Sequence, residues 1–262
     1  MKDILTDIVA DKRIEVASHK EVVTASDLVS MIQEITYEPV SMSRHLASSS
    51  TGIIAEFKRK SPSKGWIHEN ISPDVILPAY EQAGASALSI LTDEKYFGGS
   101  LNYIRNVRPL VHLPILRKDF IIDEYQLLEA RLIGADAVLL IAACLSKEKC
   151  MYFVDKAHEL GLEVLLEIHQ ESELEYVTDT VDMVGVNNRN LRTFHTDVQN
   201  SFRLANMLPE GKLLVSESGI SDVQTILKLR DAGFSGFLMG ETFMKEADPS
   251  FALKSFISQM KG

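Results

Sequence analysis

Cysteine is nearly missing from this chain: 262 residues contain two, Cys144 and Cys150. Neither has a second Cys or a His nearby at metal-ligand spacing, which excludes a disulfide framework and a structural zinc site of the usual kind. Both read as reduced thiols held by packing. Long apolar runs are missing as well. No stretch approaches the ~18 residues a membrane-spanning helix needs, and the opening Met-Lys-Asp-Ile-Leu-Thr-Asp is acidic where a secretion signal is basic and then apolar. A cytoplasmic protein without a membrane partner is the expectation. Positive charge is in deficit, with 27 Lys and Arg against 37 Asp and Glu and a formal net charge of −10. Such a balance argues against nucleic acid, and an anionic small molecule would have to meet a locally focused patch. The seven histidines form no His-Glu-x-x-His or His-x-His pair, and no Gly-x-Gly-x-x-Gly follows a strand. Metal and dinucleotide chemistry are therefore disfavoured, and no cofactor is expected. Linkers rich in Pro, Gly and Ser are absent, so residues 1–262 are expected to form one domain.

What is present is a weak repeat in which a helix stops at Gly and a strand begins. It reads Ala83-Gly-Ala-Ser-Ala-Leu, Ile133-Gly-Ala-Asp-Ala-Val, Leu160-Gly-Leu-Glu-Val-Leu and Ala232-Gly-Phe-Ser-Gly-Phe. Glycine just past a helix end supplies the left-handed cap. The spacing suits multiples of roughly 25 residues per strand-helix unit, and apolar runs near 52–57, 86–91, 114–117, 136–141, 163–167, 182–186, 212–216 and 236–239 predict eight strands. The runs are continuous, as in strands covered on both faces, and amphipathic stretches such as Asp123 to Leu132 and Lys147 to Leu160 lie between them. Eight such units read as an α/β fold of the (β/α)8 TIM-barrel kind, with functional residues at the C-terminal strand ends. Residues 1–50 stand outside the repeat. Ile4, Ile8, Val9, Ile14 and Val16 suggest a helical apolar face and Ser26-Asp27-Leu28 a second helix start, so an N-terminal helical extension capping one barrel mouth is expected.

The strand ends carry the chemistry. Side chains alternate along a strand, so Ile54, Glu56 and Lys58 share one face, and two of the three are charged. Lys118, Glu167, Asn187 with Arg189, and Glu217 likewise close apolar runs. Lys118 and Glu167 are the candidate general acid and general base, with a structural ion pair as the plainer alternative. Asn187 suits a hydroxyl or a developing charge, and Arg189 a carboxylate or phosphate. Small residues after strands seven and eight, Ser216-Glu-Ser218-Gly219-Ile-Ser221 and Met239-Gly240-Glu241-Thr242, let backbone N–H groups approach an anion. Lys64-Gly65-Trp66, after the stiff Ser61-Pro62-Ser63, suits a lid. Acid–base lyase or isomerase work on a small phosphorylated molecule fits this set.

Six motifs in order, Ile54-Ala-Glu-Phe-Lys-Arg-Lys-Ser-Pro-Ser63, Leu91-Thr-Asp-Glu-Lys-Tyr-Phe-Gly-Gly-Ser100, Pro114-Ile-Leu-Arg-Lys-Asp-Phe120, Leu165-Leu-Glu-Ile-His169, Gly185-Val-Asn-Asn-Arg-Asn-Leu191 and Glu217-Ser-Gly-Ile220, closely resemble the indole-3-glycerol phosphate synthase family. The resemblance implies a barrel enzyme that closes, decarboxylates and dehydrates 1-(2-carboxyphenylamino)-1-deoxyribulose 5-phosphate. It implies Lys118 as the general acid, Glu167 as the acid–base group of the dehydration, and Glu56 and Asn187 in support. Lys58 would be catalytic as well, anchoring the anthranilate carboxylate near Arg189 and delivering a proton, with Glu217 and Ser218 lining the floor. Phe97, Phe120, Leu139 and Leu191 would sandwich the aromatic ring, and Ser61, Gly219, Gly240 and the backbone of Glu241 would hold the phosphate. Glu241 stands where many members have Ser, which puts a side-chain phosphate contact there in doubt. A monomer or weak homo-oligomer is expected. The alternatives are a phosphoribosyl isomerase, which would keep the carbon dioxide, and a phosphate-ligand binding protein without turnover.

Overall fold

The computed structural model describes residues 4–191 and 193–261. Three helices come first: α1 (Ile4–Val22), α2 (Ala25–Gln33) and α3 (Met42–Ser48). Eight parallel strands then close into a barrel in chain order: β1 (Ile53–Phe57), β2 (Ala87–Leu91), β3 (Ile115–Lys118), β4 (Ala137–Ile141), β5 (Glu163–Ile168), β6 (Met183–Asn187), β7 (Leu213–Glu217) and β8 (Phe234–Met239). β1 pairs with β8 to complete the ring. The crossovers are α4 (Pro73–Ala83), α5 (Leu101–Val107), α6 (Glu124–Ile133), α7 (Lys147–Glu159), a 3-10 run at Glu171–Tyr176 in place of a fifth helix, α8 (Gln199–Ala205), α9 (Val223–Asp231) and α10 (Pro249–Lys261). The predicted (β/α)8 barrel is the fold found. Gly84 and Gly134 cap α4 and α6 in the left-handed conformation, at φ 102° and 90°.

Strand alternation divides the core in two. Ile53, Ala55 and Phe57 face the helices with the larger cluster, while Ile54, Leu116, Leu139, Leu165, Met183, Val215 and Leu238 fill the barrel interior. One residue pair further along, the inward positions turn polar. Glu56, Lys118, Glu167, Asn187 and Glu217 occupy the C-terminal ends, and Glu167 lies beside Gly185 and Asn187 beside Glu217 in the ladder register.

The extension covers both mouths, not one. Ile8 joins the interior cluster from the C-terminal strand ends, and Met42 and Leu46 of α3 join it from the opposite end, where Leu46 lies against Gly236 near the start of β8. Between them, Val16 and Leu28 pack on Tyr125 and Leu128 of α6. The expected face of α1 is partly wrong. Ile14 is 70% exposed, whereas Lys12 is 1% exposed and stands between Ile8 and Val16 on the buried stripe. The Lys12 ammonium lies 3.0 Å from both Asp93 and Asp119 and 2.9 Å from Glu15, so a buried cation fills a position that hydropathy alone assigns to an apolar residue. Asp119 is shared with Arg117 at 3.0 Å, and Arg117 continues to Glu129 of α6 at 3.3 Å. The second helix begins one residue before the expected Ser26. Thr24 is its cap, closing a capping box with Asp27. Asp136, just before β4, gathers Tyr37, the Val40 N–H at 2.7 Å and Arg108 at 2.7 Å, and so ties the extension to the barrel wall.

Candidate active site

A cavity of about 540 Å³ opens at the C-terminal strand ends. Glu56, Lys58, Lys118, Glu167, Asn187, Arg189, Leu191, Phe97, Phe120, Leu139, Glu217, Ser218, Gly219, Gly240 and Glu241 all line it. Ser61 does not. Its hydroxyl is buried with no hydrogen-bond partner among the described residues, and Pro62, Ser63 and Lys64 form the wall next to it.

At the centre, the Lys118 ammonium lies 3.3 Å from Glu167 Oε2 and 3.4 Å from Glu217 Oε2. Beside it, Lys58 Nζ donates to Glu56 Oε1 at 2.7 Å. Burial alone would discharge Lys118, but the carboxylates of Glu167, Glu217 and Glu56 outweigh it and raise the pKa above that of an ordinary lysine. Burial also works to raise Glu56, yet Lys58 and Lys118 hold it below the ordinary carboxylate range. Glu167 is likewise pulled low against its burial, by Lys118 and then His169. Glu217 goes the other way: burial, only partly relieved by Lys118 and reinforced by the Glu167 charge, pushes it up to about 8. Two neighbouring carboxylates with opposite shifts form an acid–base pair around one ammonium. The room for Glu217 comes from Gly185, where an added Cβ would overlap Glu217 Oε1. Gly240 serves Glu56 in the same way, its Cβ position lying 2.6 Å from Glu56 Oε1.

Two contrasting walls flank this centre. On the side of β2 to β4, Phe97 and Phe120 stand 6.0 Å apart between ring centroids, next to Leu139 and to Ile4, Leu5 and Ile8 of α1. On the side of β7, β8 and β1, the wall is Ser218 to Ser221, Gly240 to Thr242, Lys64 and Lys245. Ser218 and Gly219 are both left-handed, at φ 68° and 78°, a conformation that a serine adopts only when its surroundings impose it. Asn188 imposes it by donating to the Ser218 carbonyl at 3.0 Å and to Ser216 Oγ at 3.1 Å. Thr242 donates to the Ile220 carbonyl at 2.8 Å, locking the two loops together. Glu241 points its carboxylate into the cavity, paired with Lys64 and 3.6 Å from Arg189. Lys60–Ser61 pairs with Gly65–Trp66, and the Arg59 guanidinium sits over the Trp66 ring at 5.2 Å. Of the basic run, Lys58 faces the cavity.

Sequence reasoning gave no site role to Ile4, Leu5, Ile8, Asn188 or Lys245. The apolar face of α1 and its place over a barrel mouth were expected, but its contact with the aromatic wall was not. Asn188 follows Asn187 and therefore points to the opposite face of the strand, a signal of a second, outward-facing polar role.

Fold and site define an enzyme of the (β/α)8-barrel class, with a buried acid–base centre between an apolar wall and a small-residue wall. A family model described as indole-3-glycerol phosphate synthase matches residues 5–256, and the chain belongs to this family. An indole-3-glycerol phosphate synthase of Bacteroides thetaiotaomicron is 60% identical over 261 residues, with 100% of both chains covered. One of Rhodopirellula baltica is 44% identical over 97% of this chain and 99% of its own, and one of Neisseria meningitidis serogroup B is 48% identical over 95% and 96%. Among solved structures, a tryptophan synthase alpha chain of Legionella pneumophila aligns at TM-score 0.61 and 13% identity, covering 84% of this chain and 95% of its own. A 3-hexulose-6-phosphate synthase of Salmonella typhimurium aligns at 0.61 and 13%, covering 80% and 99%. These two likenesses carry the fold alone. Among the described residues no helix is long and apolar enough to cross a membrane.

Proposed function

We propose that this chain is a carboxy-lyase of tryptophan biosynthesis that converts 1-(2-carboxyphenylamino)-1-deoxyribulose 5-phosphate to indole-3-glycerol phosphate, carbon dioxide and water. The observation that carries the reading is the buried Lys118 ammonium between Glu167 and Glu217, placed between an aromatic wall and a wall of small residues. The anthranilate ring lies against Phe97, Phe120, Leu139 and Leu191, and its carboxylate meets Lys58 and Arg189 above the floor of Glu217 and Ser218. The phosphate reaches the backbone of Gly219, Gly240 and Glu241. Lys118 keeps its proton at rest because the ionised Glu167 and Glu56 favour the ammonium. It yields that proton as negative charge builds on the ribulose carbonyl oxygen, while the ring carbon bearing the carboxylate forms the new bond. Loss of carbon dioxide returns the electron pair to the ring system. Glu167, ionised and close to the reacting carbon chain, then moves the proton that allows the hydroxyl to leave as water. Glu56 and Asn187 hold Lys58 and the substrate in register. The setting we propose is the cytoplasm, with the protein acting as a monomer or weak homo-oligomer.

The test mixes purified protein with this substrate, without added metal or nucleotide, and follows indole fluorescence. Growth of the indole-3-glycerol phosphate signal is expected. Persistence of the substrate in a folded sample would give first place to the binding-protein reading.

A further inference from the structure

The proposed chemistry leaves one buried titratable group beside the site unused. His169 follows Glu167 by two residues on β5 and its loop, so both side chains lean to the same side of the strand end. Its Nε2 lies 3.1 Å from Glu167 Oε1 and its Nδ1 3.5 Å from Glu173 Oε2. A neutral imidazole carries one N–H and one lone pair, and a lone pair cannot face a carboxylate favourably. With carboxylate oxygens at both nitrogens, only the imidazolium satisfies the arrangement. Charge and hydrogen bonding to both carboxylates together hold the ring. Glu173 is fixed in turn, accepting the His169 backbone N–H at 2.6 Å and a Gln170 amide N–H at 3.4 Å.

We propose that His169 is a positioning residue for Glu167: its imidazolium, anchored from behind by Glu173, claims Oε1 and leaves Oε2 directed at Lys118. The role rests on the assignment of Glu167 to the dehydration step. The groups facing Glu167 are Lys118 on β3, Glu217 on β7, Asn187 on β6 and His169, and those facing His169 are Glu167 and Glu173. Burial works against charge on the ring, and the two carboxylates overcome it, raising His169 to about 10. Without the imidazolium, Glu167 would face only one cation. It would bind a proton more readily and swing between two orientations.

Two measurements test this. Imidazole 15N shifts of the wild-type protein, with His169 assigned by its loss in His169→Asn, should report both nitrogens protonated at pH 7 and no titration below about pH 9. A midpoint near 6.5, or one unprotonated nitrogen at pH 7, would overturn the proposal, and this readout does not depend on turnover. In steady-state assays, His169→Asn and Glu173→Gln should each lower kcat about tenfold or more, leave KM within about twofold, and move the acidic limb of kcat upward by about one pH unit. A kcat within twofold of wild type with an unmoved limb in the folded Glu173→Gln protein would also overturn it. If wild-type protein fails to turn over while His169 stays charged, the catalytic assignment of Glu167 falls and the charge state of the ring does not.

Discussion

Lys12→Met removes the cation at the centre of the buried cluster and keeps an unbranched side chain of similar length. Three carboxylates lose a partner within 3.0 Å, those of Glu15, Asp93 and Asp119. Breaking a buried ion pair by deleting one partner costs about 3–5 kcal/mol. Asp119 keeps Arg117 at 3.0 Å and a Thr92 hydroxyl at 2.6 Å, so the lower end, about 3 kcal/mol, applies. At this chain length each kcal/mol moves the melting temperature by about 2 °C, and calorimetry should record a fall of about 6 °C. The pH dependence follows from Asp119. Burial works to raise its pKa, but Lys12 and Arg117 hold it well below the usual carboxylate range. Its stabilisation is therefore present above the unfolded pKa of about 3.9 and lost as pH falls below that. Removing Lys12 should make the stability of the variant less steeply dependent on pH in the acid range. Because α1 carries Ile4, Leu5 and Ile8 to the aromatic wall, substrate KM should rise along with the loss of stability. A shift under about 2 °C with unchanged KM would refute the view that this cluster both anchors the extension and shapes the site.

Lys118→Met should fold, and lose at least the ~10²-fold in kcat that one positioned acid typically supplies; near wild-type turnover would remove Lys118 from the mechanism. Glu217→Gln should flatten the pH dependence of stability. Glu217 at about 8 takes up a proton on folding between pH ~4.3 and 8, so the wild type loses stability as pH rises across that window, and an equal slope in the variant would contradict the shift. Gly185→Ala drives a methyl group into Glu217 and should lower stability by about 1–3 kcal/mol in denaturant titrations; a neutral effect would mean that Glu217 has room to move. Glu241→Gln releases Lys64 and Arg189, and calorimetric binding of inorganic phosphate should tighten by up to about fivefold, the scale of one exposed ion pair. Weaker binding would assign the Glu241 carboxylate a supporting role instead.

The barrel was legible because its strands are largely apolar runs at regular spacing, and five of them, β1, β3, β5, β6 and β7, close at or next to a charged or amide side chain. Glu56, Lys118, Glu167, Asn187 and Glu217 could be read for the same reason: a charge or an amide closing a buried strand has few structural uses. Lys12 was not legible, since a lysine between Ile8 and Val16 looks like a solvated position until Asp93 and Asp119 arrive from other elements. The path of the extension over both mouths was hidden as well, because an amphipathic helix records that it packs and not what it packs on. His169 was visible only as the end of a motif. Its meaning depends on Glu173, which a 3-10 turn brings back toward the strand end.

The central claim is that the cavity closes a ring and expels the ring carboxylate. Substrate labelled with 13C or 14C in that carboxylate, incubated with the protein, tests it most directly. Labelled carbon dioxide in one-to-one amount with indole-3-glycerol phosphate is expected. Conversion with the label retained in the product would contradict it and place the chain with the isomerases of the same barrel class.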